Sequence, residues 1–281
     1  MPRLFSNPTF GRKGSRLFVA AARARAAALL LAGAALFSAS FVSCSEPSPT
    51  SPPDHLTRES ILARKKAALE RFRRIPVHEE YGGLAAGMYR VGLVNVQDMD
   101  PAIQVSLAYA TPNNFLDTAI YGDLKQAFLL LEAAAMLSMA QDELSRRQPG
   151  YRLLVYDAAR PIRVQRAMWD QVQGTPQARY VANPAQGSLH NYGAAVDLTI
   201  ADANGNPLDM GTPFDHFSEL SQPRHEERYR KAGKLSKTQL SNRKLLREVM
   251  KYGGFQGIPN EWWHFNAFSI KQVRENYTVI E

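Results

Sequence analysis

The chain of 281 residues holds one cysteine, Cys44, so no disulfide can close within it and neither a CxxC redox pair nor a thiolate metal cage is available. It has no acidic residue before Glu46, while Arg3, Arg12, Lys13, Arg16, Arg23 and Arg25 all fall within residues 1–43. That asymmetry accounts for most of the formal charge of +8. Without those six side chains, 28 basic residues face 26 acidic ones, and a nucleic-acid partner loses its electrostatic basis. The most apolar stretch, residues 26–42, is 17 residues long, short of the roughly 20 that a permanent spanning helix needs. What remains is ordinary: 45% apolar and 21% charged residues are the proportions of a folded domain, and the length suits one large domain or two small ones.

A basic leader, a short apolar run and small residues read as an export signal. The run ends Phe41-Val42-Ser43-Cys44, which resembles a bacterial lipoprotein signal, with Phe41 standing where leucine is usual. In that reading Cys44 is lipidated and becomes the new N-terminus. Cleavage after Ser40 and an uncleaved anchor are the alternatives, and each exports the rest of the chain. Beyond Cys44, Pro47, Pro49, Pro52 and Pro53 make a Ser/Pro-rich tether that cannot pack a core. The expected organisation is a signal peptide over 1–43, a tether over 44–57 and a folded domain over 58–281, placed in the periplasm or cell envelope and tethered to a membrane.

Apolar periodicity predicts helices over 58–74, 124–147 and 239–252, the second ended by Pro149-Gly150 and the third by Gly253-Gly254. A further helix is expected to begin at Pro161. Tyr151–Tyr156 reads as a short buried strand. Tyr192–Ile200 reads as a strand with one apolar face and one presenting Asp197, and Glu261–Phe268 is aromatic and β-prone. Helices and strands mix without a βαβ repeat, so the class is α+β.

Two of the six histidines stand in unusual company: Ser188-Leu-His190-Asn-Tyr-Gly193-Ala-Ala-Val-Asp197, and Glu261-Trp-Trp-His264. Two imidazoles and a carboxylate would give a zinc ion three ligands and leave a fourth position for water, as catalytic zinc requires. A carboxylate beside such an ion, here Glu261, can accept a proton from water and return it to a leaving amine. Taken singly, each histidine could equally be a buried, hydrogen-bonded core residue, and Trp262, Trp263 and Phe265 read as core. His55, His78, His216 and His225 have no comparable setting.

Together these two motifs resemble the signature of the zinc D-Ala-D-Ala peptidases, and most closely the VanX-like dipeptidase branch of family M15. Tyr109-Ala-Thr-x-x-Asn114-Phe115, Asp157-Ala-Ala-Arg160-Pro161, Asp209-Met-Gly-Thr-Pro-Phe-Asp215 and Asn242-Arg243 follow the family's order over roughly residues 77–270. The resemblance implies a small mixed or antiparallel sheet with flanking helices, the hedgehog/DD-peptidase-like fold. It implies one zinc ion on His190, Asp197 and His264, Glu261 as general base and acid, and Arg160 as the group that stabilises the oxyanion. It also implies Asp215 against the free ammonium of a dipeptide, with Ser188 and Tyr109 contacting substrate. The implied reaction is hydrolysis of D-Ala-D-Ala in cell-wall turnover. The rivals are a D,D-carboxypeptidase or endopeptidase acting on peptidoglycan stems, and a zinc-binding envelope protein without catalysis. No protein partner is implied.

Overall fold

The computed structural model describes residues 82–281, together with Lys66 and Glu70, both helical. The expected signal, the tether and Cys44 lie outside the described residues, as does the rest of the helix expected over 58–74. Among the described residues no helix is long and apolar enough to cross a membrane.

The frame is a five-stranded sheet in the order β2-β4-β5-β7-β6. Its strands are β2 (Gln104–Val105), β4 (Arg152–Asp157), β5 (Ala195–Ala201), β6 (Gln256–Gly257) and β7 (His264–Asn266). β2 runs parallel to β4, and every other pair is antiparallel. A separate antiparallel pair joins β1 (Val94–Asn95) to β3 (Phe128–Leu129). In chain order the helices are α1 (Gly83–Arg90), α2 (Val96–Met99), α3 (Leu131–Arg147), α4 (Ile162–Val172), α5 (Glu226–Lys231), α6 (Lys237–Gly253) and α7 (Ile270–Asn276). The α+β class and small mixed sheet expected from the sequence are what the chain forms.

α3 and α6 pack against each other on the sheet. The contact is close because Gly253 ends α6 against α3: a Cβ there would lie 2.4 Å from the Met136 carbonyl oxygen. α6 begins with a capping box, Ser236 and Gln239 each satisfying the other's backbone N–H, and stops where Gly254 turns left-handed at φ +100°.

Two expectations are corrected. The helix predicted over 124–147 starts only at Leu131. Residues 127–130 are Ala/Leu-rich, but their backbone is claimed by distant partners. Val96 donates to the Ala127 carbonyl, Ala159 to that of Phe128, and Leu130 to that of Gly193, all at 2.9 Å. The strand predicted over Tyr192–Ile200 begins at Ala195, after a 3-10 turn, Leu189–Tyr192, that Gly193 closes at φ +68°. All seven β5 residues are buried, so β5 is central, covered on both faces rather than one.

Candidate active site

The sheet register builds the site. On β5, Asp197 stands opposite His264 of β7 on one side and Asp157 of β4 on the other, so three polar side chains form a row across three strands. His190 reaches the same point from the 3-10 turn ahead of β5. That turn is held tightly: Ser188 Oγ accepts from the His190 N–H, and the Asn191 side chain accepts from Ser188 N–H and donates to the Arg160 carbonyl. A Cβ on Gly193 would sit 2.8 Å from Leu93 Cδ2, so a larger residue could not bring the turn this close.

His264 Nδ1 lies 2.9 Å from Asp197 Oδ1, His190 Nε2 3.3 Å from Asp197 Oδ2, and the two ring nitrogens 3.2 Å apart. One ligand atom from each residue falls within 4.8 Å of the others. The partners of the outer nitrogens set the tautomer that suits each ring when it is neutral. His190 Nδ1 meets the Ala158 carbonyl at 2.7 Å and His264 Nε2 meets Asn266 Oδ1 at 2.8 Å. Both acceptors require an N–H, which turns the other nitrogen's lone pair toward Asp197. With both rings neutral, three lone-pair donors face one point, a set that fits a divalent cation. Burial opposes the charge on Asp197, yet the two imidazoles hold it far below the ordinary carboxylate range. Burial works against a charged His190 too, and Asp197 more than offsets it, raising its pKa.

A cavity of about 370 Å³ opens over this point, and Tyr109, Arg160, Ser188, Asp215 and Glu261 line it beside the three donors. Every candidate within the described residues is thus brought together. Burial pushes Glu261 up to about 8, with His264 pulling it down and Asp197 and Asp215 adding to the rise. Asp215 is likewise pushed up to about 8, mainly by burial, against the pull of a 2.7 Å hydrogen bond donated by Tyr109 Oη. Its φ of +56° is unusual for a residue with a Cβ and marks a side chain held in place by its surroundings.

Arg160 shows what spacing alone could not. Its Nε and Nη2 donate to Asp157 and its Nη1 donates to Gln165 Oε1 at 2.8 Å. Nη2 also lies 3.8 Å from Asp197 Oδ2. Tyr121 donates to the other Asp157 oxygen at 2.5 Å. Asp157, Gln165, Tyr121, Asn191 and Asn266 thus support the site without being among the residues expected from the sequence. Asp157, three residues before Arg160, and Asn191 and Asn266, within two residues of His190 and His264, have a local signal. Tyr121 lies 36 residues from its partner in a stretch without pattern.

A mixed sheet carrying two imidazoles and a carboxylate at one point, with a half-buried glutamate and a fixed guanidinium on the same cavity, has the parts of a metallopeptidase site. Residues 89–279 match the family model Peptidase M15, D-Ala-D-Ala dipeptidase, and the chain belongs to that family. The D-alanyl-D-alanine dipeptidase of Escherichia coli strain K12 is 38% identical over 173 residues, 62% of this chain and 83% of the relative. The protein of the same name from Synechocystis sp. is 31% identical over 160 residues, 46% of this chain and 65% of its own length. That from Enterococcus faecium is 28% identical over 192 residues, covering 62% and 91%.

Proposed function

We propose that this protein hydrolyses D-alanyl-D-alanine to two D-alanines with one zinc ion held by His190, Asp197 and His264. The observation that carries the dipeptide reading is Asp215, aimed into the same cavity as the metal donors and Glu261. The family membership and the relatives' names point the same way. A nitrogen–oxygen donor set with no thiolate favours zinc in an open, catalytic arrangement. Bound there, the ion supplies Lewis acidity toward the amide carbonyl and toward water.

The chain's own residues do the rest. Glu261 accepts a proton from the attacking water and delivers it to the nitrogen of the departing D-alanine. Because its pKa is pushed up to about 8, ionised Glu261 is a stronger base toward that water than an ordinary carboxylate. Arg160, fixed by Asp157 and Gln165, keeps N–H groups free to face the oxyanion, and a preorganised donor of this kind is typically worth about 10²–10³ in rate. Asp215 ionises against the substrate ammonium, with Tyr109 holding its other face. A longer peptide presents a neutral amide there, so half-buried Asp215 gains no counter-charge from it and binding is weaker. Ser188 lines the cavity next to His190 and contacts substrate.

The leader and Cys44 support export as a lipoprotein, placing the domain in the cell envelope, where recovery of D-alanine from wall-derived dipeptide is the fitting task. Turnover of D-Ala-D-Ala, of dipeptides of both chiralities and of a stem pentapeptide, each with and without chelator, tests the proposal. Chelator-sensitive hydrolysis of the D,D-dipeptide with little turnover of the pentapeptide is expected. Preference for the pentapeptide would move the protein to the carboxypeptidase branch.

A further inference from the structure

A dipeptide is a zwitterion, and the groups assigned so far answer only one of its charges. Asp215 meets the ammonium; the carboxylate of the departing residue still needs a cation or donors. Two arginines line the cavity, Arg160 and Arg179. Arg160 is committed to Asp157, which already balances its charge. Arg179 makes no ion pair that the described residues show, and its guanidinium lies over the Tyr180 ring, 5.0 Å from the centroid.

Its position is prepared rather than loose. Arg179 sits in a 3-10 turn, Pro176–Tyr180, that Thr175 caps. Tyr180 stacks on Phe217 with ring centroids 5.0 Å apart and planes 9° from parallel. Gln222 Nε2 donates to Tyr180 Oη. Phe217 lies two residues after Asp215 and meets Phe115 edge-on at 4.9 Å. Gln165 registers this wall against the reaction centre: its Oε1 accepts from Arg160, and its Nε2 donates to the Ala182 carbonyl at 2.7 Å, just past the turn. One glutamine thus ties the Arg160 side chain to the backbone just past the turn that carries Arg179.

We infer that Arg179 is the specificity residue for the free C-terminal carboxylate of the substrate, a planar fork matched to a carboxylate and poised on an aromatic platform. The inference rests on the dipeptidase reading and adds to it a demand for a free acid at the second end. With Asp215 demanding a free ammonium at the first, the cavity measures a dipeptide by its two charges.

The test compares D-Ala-D-Ala with its C-terminal amide in the zinc-loaded wild type and in Arg179→Gln and Arg179→Lys. The wild type should prefer the free acid by roughly tenfold to a hundredfold in kcat/KM, the scale of a charge-assisted hydrogen bond. Arg179→Gln should lose most of that preference through KM, with turnover of the amide and the melting temperature unchanged, since Arg179 is exposed. Arg179→Lys should retain part of it and respond more to salt. An Arg179→Gln variant that keeps the wild-type preference overturns the inference while leaving the dipeptidase reading intact. A wild type that hydrolyses neither compound overturns the dipeptidase reading, and this inference with it.

Discussion

Asp215→Asn isolates one charge in a nearly isosteric change. Tyr109 Oη, 2.7 Å from Asp215 Oδ2, can still donate to the amide oxygen, so the loop keeps its anchor. What disappears is the counter-charge for the substrate ammonium. Truncating one partner of a buried, hydrogen-bonded charge pair costs about 2–5 kcal/mol; Asp215 is only half-buried, so the lower part of that range applies, or roughly 10²-fold in kcat/KM. The loss should be specific. N-acetyl-D-Ala-D-Ala, which has no ammonium, should be a poor substrate for the wild type and no worse for the variant, so their discrimination ratio collapses. Steady-state kinetics on both substrates at fixed zinc, with metal content checked, measures this. If Asp215→Asn kept the wild-type ratio, the ammonium would be bound elsewhere and the argument for dipeptides over stem peptides would fail.

Three further outcomes follow from the geometry. Glu261→Gln should lower kcat by about 10²–10⁴, the usual contribution of a positioned acid–base group, while retaining zinc in elemental analysis; loss of metal would place Glu261 among the ligands. Asn266→Ala removes the acceptor that orients His264 and should weaken zinc affinity by about 10–100-fold, measured by competition with a chelator, with kcat at saturating zinc nearly restored. The metal-free protein should lose stability as pH rises. Glu261 and Asp215, with ordinary values of 4.5 and 3.8, are both pushed up to about 8, so across that window the unfolded chain has released protons that the folded chain still holds. The raised His190 acts in the same direction, and the lowered Asp197 contributes a constant amount above its ordinary range. The melting temperature of the chelated protein should therefore fall from pH 5 to pH 8, and saturating zinc should flatten the slope by favouring the ionised carboxylates. A chelated protein that became more stable toward pH 8 would contradict the burial assigned to these groups.

Residue types and local spacing already determined much of this protein. Gly253-Gly254 ends α6 because the left-handed turn there suits glycine, and the two His motifs carry donors of the right chemistry. Both are short-range properties: a cap needs a few neighbouring residues, and a metal donor is set by its side chain. The tertiary structure decided what depends on distant partners. Residues 127–130 are not helical because β1, Ala159 and Gly193 use their backbone groups. Asp197 meets His264 because β5 and β7 pair in one register, and a slip of one residue would turn the two side chains to opposite faces. Arg160 is fixed by Asp157, which the motif placed nearby, and by Gln165, which nothing in the pattern marked. Hydrogen bonds of this kind join atoms by position in space, and separation along the chain does not encode them.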